Sequence, residues 1–267
     1  MFVFQATQGS YTMGKPPLAR AVVQLVFPFS AHLVAPQGLA DLQDRLQGFT
    51  LQTENAAAFQ ISIGPAAPTA QRYLFVDRAG HELAITGANV TLSINESYKS
   101  RDVFQAVLES VLGPIGEVGK ITSYERLGVR YINAAPATIE EFLLWFRSEF
   151  TGWAGGNLVT PDTLRTWVLV TQMNQSDPQS LVNAATIRYG FLPNGVGADI
   201  TSSPAASQQS FLADIDMASF RQAPFSASDI GAVYQRINHE IAALLRSSLS
   251  DEGVKHFELR PKEDQAQ

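Results

Sequence analysis

The sharpest acidic pair in the chain is Asp214-Ile215-Asp216. Residues two apart on a β-strand point to the same side, so these carboxylates could hold a hard cation between them and support metal-assisted hydrolysis. Arg130 and Arg188 stand on neighbouring predicted strands with the same polar parity, however, so carboxylate–guanidinium pairing across strands accounts for the same residues and is the favoured reading. Should the sheet carry a ligand site, Arg130, Arg188, Asp214 and Asp216 are the residues expected to line it. No metal ligand and no catalytic residue is assigned.

Other chemistry has little to build on. Nucleophilic catalysis lacks both cysteine (Cys 0) and a Gly-x-Ser-x-Gly elbow. The four histidines, His32, His81, His239 and His256, are scattered, and none forms a helical His-x-x-x-His pair. Gly152-Trp153-Ala154-Gly155-Gly156-Asn157 has no following Lys and Ser or Thr, and Pro193-Asn194-Gly195-Val196-Gly197 reads as a turn, so neither is a phosphate loop. Pro161-Asp162 is not followed by the Glu-x-Lys that a restriction-type nuclease needs. No cofactor is expected. Trp145, Trp153, Trp167, Tyr124, Tyr131, Tyr189 and Phe191 gather in the second half, where most are expected in the core. Tyr131 shares its strand parity with Leu127 and Val129, whereas Arg126 and Arg130 share the other face.

These residues need strands and helices to position them. The run 21–27, bracketed by Pro16-Pro17 and Pro28, predicts a strand buried on both faces. Leu39, Leu42 and Leu46 predict a short amphipathic helix. Strands follow over 58–63, 71–76 and 82–95, the last interrupted by a bulge or tight turn at Gly87-Ala88-Asn89. Val103, Phe104, Val107, Leu108, Val111 and Leu112 then predict a helix capped by Ser100 and stopped by Gly113-Pro114. The pattern restarts: a strand over 124–133, a helix entered through the capping box Thr138-Ile139-Glu140-Glu141, strands over 165–173, 182–191 and 211–217, and a closing helix over 228–249.

The expected fold class is therefore α+β, with duplicated βαβββα units about 100 residues apart forming a twisted, mainly antiparallel sheet, long helices on one face and a candidate binding surface on the other. The expected organisation is an N-terminal arm over 1–15, a first unit over 16–120, a second over 121–257 and a tail over 258–267. Composition fits a folded domain: 45% of the 267 residues are hydrophobic, and mean hydropathy is zero. The longest apolar run, 21–29, is interrupted by Gln24 and too short to cross a bilayer. Without a visible signal peptide, the expected location is cytoplasmic. A net charge of −6 without a basic block makes nucleic acid an unexpected partner, and a charged fraction of only 16% suggests surface covered by another chain.

Two stretches, Pro16-Pro17-Leu18-Ala19-Arg20-Ala21-Val22-Val23-Gln24-Leu25-Val26-Phe27 and Glu125-Arg126-Leu127-Gly128-Val129-Arg130-Tyr131-Ile132-Asn133, resemble the opening and central strands of a sporadically distributed bacterial and archaeal family of uncharacterised proteins. Asp214-Ile215-Asp216 and Asn238-His239-Glu240 resemble that family's closing segment. Arg20 departs from the acidic residue usual before the Ala-Val pair. The resemblance implies a cytoplasmic prokaryotic protein with an accessory role, such as phage defence or a toxin–antitoxin system, and brings no activity or cofactor. The reading it leaves is a non-catalytic binding or interaction protein with a protein partner, a second copy of itself or a small ligand. The alternatives are a metal-assisted hydrolase and a structural subunit of a larger, phage-like assembly.

Overall fold

A computed structural model describes residues 11–52, 72–95, 97–155, 167–175, 180–192 and 209–261. The expected strand over 58–63, Gly156-Asn157, Pro161-Asp162, the 193–197 turn, residues 1–10 of the arm and 262–267 of the tail lie outside the described residues, as does the side chain of Trp153. The chain is α+β with a large antiparallel sheet. In order it forms β1 (Tyr11–Met13), β2 (Leu18–Val26), α1 (Pro36–Arg45), β3 (Phe49–Gln52), β4 (Tyr73–Asp77), β5 (Glu82–Ile85), β6 (Asn89–Ile94), α2 (Arg101–Gly119) and β7 (Ser123–Pro136). There follow α3 (Ile139–Trp145), α4 (Ser148–Thr151), β8 (Trp167–Asn174), β9 (Ala184–Leu192), β10 (Ser210–Pro224), α5 (Ala227–Ser248), α6 (Asp251–His256) and β11 (Leu259–Pro261). Among the described residues, no helix is long and apolar enough to cross a membrane.

Two compact units make up the chain. One, here the meander unit, contains Ala21–Val129 and Ala218–Ile237; the other, the aromatic unit, contains Met1–Arg20, Arg130–Met217 and Asn238–Gln267. Strands β7 and β10 and helix α5 each contribute a segment to both.

In the meander unit the strands hydrogen-bond in the order β3-β4-β5-β6-β2, followed by the leading part of β7. The pairs β3–β4, β4–β5, β5–β6 and β2–β6 are antiparallel, as the short β4–β5 and β5–β6 connections require of those two pairs. The strand expected over 82–95 divides at its expected interruption into β5 and β6, because the chain makes a tight turn at Gly87, where Thr86 Oγ1 accepts from the Ala88 and Asn89 amides. β2 is buried on both sides at Ala21, Val22 and Val23 but not throughout. Ala19, Ala21, Val23 and Leu25 are buried, while Gln24 on the other side reaches Thr91 and accepts from Arg126.

Helix α2 starts where expected, with Ser100 Oγ accepting from the Val103 amide, but it runs through Pro114 to Gly119. Proline removes one intrahelical donor, and burial of Leu112, Ile115 and Gly119 on the inward face outweighs that loss. His81 also finds a partner. Its Nδ1 lies 2.7 Å from Asp77 Oδ2, and Asp77 Oδ1 accepts from the Ala79 and His81 amides, fixing the β4–β5 turn.

In the aromatic unit the order is β7-β10-β9-β8, with β8 and β9 antiparallel. The capping box forms as read: Thr138 accepts from the Glu141 amide and Glu141 from the Thr138 amide. A single helix through Phe150 was expected; instead α3 ends at Trp145 and α4 begins at Ser148, with Phe146 extended between them. That break sends Phe142, Trp145 and Phe146 into a ring cluster with Phe211, Trp167 and Phe257, at centroid separations of 4.8–6.5 Å. Each fully buried ring adds roughly 1.5–3 kcal/mol. Of the aromatics read as mainly core, Trp145, Trp167, Tyr124, Tyr131, Tyr189 and Phe191 are all buried.

Two buried phenols couple stability to alkaline pH. Burial pushes the Tyr189 hydroxyl well above the ordinary tyrosine range, with a hydrogen bond to Ser248 acting weakly against it. Burial also raises Tyr124, against the nearby charge of Arg221 and with that of Asp229. A folded-state pKa above the unfolded value of about 10 means that stability is complete below that pH and falls as pH climbs toward the folded values. In an absorbance titration of the seven tyrosines, Tyr124 and Tyr189 are expected to ionise only together with unfolding. Full ionisation with unchanged circular dichroism would contradict this.

Candidate functional site

The four residues singled out from sequence come from three strands of the aromatic unit: Arg130 on β7, Asp214 and Asp216 on β10, and Arg188 on β9. Their alternation puts Asp214 opposite both guanidinium groups. Arg130 donates through Nε to Asp214 Oδ1 and through Nη2 to Oδ2, each at 2.7 Å. This is the two-pronged geometry in which a planar guanidinium matches a carboxylate. Arg188 adds a third bond, Nη1 to Oδ2 at 3.0 Å. The cross-strand pairing expected from parity is therefore present.

Burial gives this cluster its character. The Asp214 side chain is 0% exposed, Arg130 9% and Arg188 25%, and Asp216 is also buried. Desolvation works against the Arg130 charge, but the hydrogen bond to Asp214 and the charges of Asp214 and Asp216 outweigh it and hold the guanidinium above its ordinary pKa. Two cations and two carboxylates balance in a region of low dielectric.

Both oxygens of Asp214 accept from guanidinium groups, so they are already engaged and do not join Asp216 in gripping a cation. Among the described residues, no group of three or more His, Asp or Glu side chains is arranged to hold a metal ion. The arrangement resists displacement of β9, β10 and β7 relative to one another. It is suited to holding a sheet together.

The opposite parity carries a second polar element. Tyr131 on β7 accepts a hydrogen bond from Nδ2 of Asn238 on α5, both residues buried in the aromatic unit. Sequence reading placed Tyr131 in the core without finding this partner. The signal was available: Asn238 interrupts the apolar stripe of Tyr234, Ile237 and Ile241, where a polar side chain must find a partner or weaken the helix.

A different surface stands out for exposure. β8 ends the strand order, and among the described residues β9 is its only strand neighbour. All eight of its residues pair with β9 in unbroken register, from Trp167↔Phe191 to Asn174↔Ala184, so no bulge twists the edge away. Gly190 permits this close approach, since a Cβ there would lie 2.1 Å from the Trp167 carbonyl oxygen. Val168, Leu169 and Val170 are 37%, 38% and 52% exposed. The strand, Trp-Val-Leu-Val-Thr-Gln-Met-Asn, carries neither charge nor proline.

No protein-family model matches the chain, and no curated protein matches it.

Proposed function

We propose that this chain is a non-catalytic interaction protein that works by adding a strand at the β8 edge, and that the strand it adds is β8 of a second copy. The observation that carries the reading is β8 itself. An edge strand presents unpaired amide and carbonyl groups, and proteins that must stay monomeric protect such edges with lysine, proline, bulges or brevity. β8 has eight residues, continuous register, no charge and three exposed aliphatic side chains in succession. A neutral strand offers nothing to attract a charged partner and nothing to repel its own copy, and antiparallel self-pairing closes as a two-fold dimer. The low charge of the whole chain, 16%, supports the same reading. The family resemblance adds the proposal that the assembly serves an accessory role such as phage defence or a toxin–antitoxin pair.

Because the chain has no cysteine, a single one reports on contact without interference. In a two-fold β8 pair the strand centre meets its own copy, so Val170→Cys is expected to form a disulfide-linked dimer rapidly under mild oxidation. Leu144→Cys, at another exposed apolar position (55%), serves as the collision control. Equal rates for the two variants would overturn the proposal.

A further inference from the structure

We propose a second site, a cleft in the meander unit that binds a small phosphate-bearing ligand with a planar ring, of the nucleoside monophosphate class. The cleft has a volume of about 380 Å³ and lies between the turn after β2, residues 28–32, and the segment after α2, residues 119–123. That volume is in the range of small-molecule sites.

One wall is aromatic. Phe29 is 71% exposed, yet its ring is seated on the backbone at Gly87, where a Cβ would come within 2.3 Å of Cε2. A ring backed by a glycine and open to water is a ready stacking surface. The rest of the lining includes polar side chains, Lys120, Thr122, Ser123 and His32. No acidic side chain lines the cleft among the described residues, in a chain whose net charge is −6.

Lys120 is the residue that points to function. It caps the C-terminus of α2 in the left-handed conformation, φ 51° and ψ 41°. Glycine is the usual residue there, because an L-residue is strained in that conformation. Here the position is a lysine whose exposed ammonium group sits at the cleft. The helix C-terminus carries partial negative charge, which the lysine ammonium and the pairing of its carbonyls offset. The Gly116 carbonyl accepts from the Ile121 amide at 3.0 Å and the Gly119 carbonyl from Ser30 Oγ at 2.7 Å, so those carbonyls are already occupied. Phosphate would be held by Lys120 and the Thr122 and Ser123 hydroxyls, and the ring would lie on Phe29.

The test uses AMP, adenosine and inorganic phosphate as probes, with affinity read by calorimetry and stability by thermal melting. AMP is expected to bind at least ~10-fold more tightly than either fragment, because two subsites are filled at once. Lys120→Gly is expected to raise the melting temperature while weakening AMP at least ~10-fold, since it relieves the backbone and removes the charge. Lys120→Met keeps the backbone conformation, so it should weaken AMP to a similar extent without the gain in stability. Phe29→Ala should weaken AMP and adenosine and leave phosphate unchanged. The proposal is overturned if AMP binds no better than phosphate, or if both Lys120 variants bind AMP like the wild type.

Discussion

Asp214→Ala is expected to lower folding stability by about 3–5 kcal/mol, the range for breaking a buried ion pair by removing one partner. The loss exceeds that of a single hydrogen bond because the substitution takes from Arg130, which is 9% exposed, the carboxylate that accepts its two-pronged pair of bonds. Arg188, 25% exposed, can turn its charge toward water and suffers less. Against a total stability of roughly 5–15 kcal/mol, such a loss would bring the domain close to unfolding at ambient temperature. Urea unfolding followed by circular dichroism measures it. The double replacement Arg130→Met with Asp214→Leu removes both charges together and should recover much of the deficit, since what destabilises is a buried charge without its counter-charge. A loss under about 1 kcal/mol for Asp214→Ala would mean that water reaches the cluster and that it does not brace the sheet.

Val170→Lys is expected to weaken self-association at least ~100-fold while leaving the melting temperature of the fold nearly unchanged. Val170 is 52% exposed in the single chain, so a lysine there meets water and disturbs little. Across a β8–β8 pair the same substitution places two ammonium groups near one another and removes two valines, each with about half of its surface left to bury and so worth roughly 0.8–1.5 kcal/mol. At 1.4 kcal/mol per factor of ten, the valines supply roughly 10- to 100-fold, and repulsion between the two ammonium groups supplies the rest.

The cluster at Asp214 could be read from the chain because strand periodicity is local. Parity along β7, β9 and β10 is enough to put Arg130, Arg188 and Asp214 on a common side, and charge then dictates who pairs. Ser100 and the Thr138–Glu141 capping box were legible for the same reason, each being a signal contained within four residues. β3 was not, since Phe-Thr-Leu-Gln is too short to show a period and owes its form to pairing with β4. Pro114 misled because the inward burial that carries α2 past it is a tertiary effect. The strand at β8 was expected, but its position at the sheet edge depends on strand order, which no local pattern encodes. The cleft at Phe29 and Lys120 joins segments distant in sequence, and it exists only because α2 continues to Gly119.

The central claim is that β8 joins two copies of this chain, and sedimentation equilibrium of the wild-type protein beside Val170→Lys tests it most directly. The expected result is a wild-type mass that rises with concentration toward twice 29.0 kDa, and a variant that stays at 29.0 kDa with the fold intact. A wild-type protein that remains at 29.0 kDa at every concentration, or a dimer that survives the lysine, would contradict it.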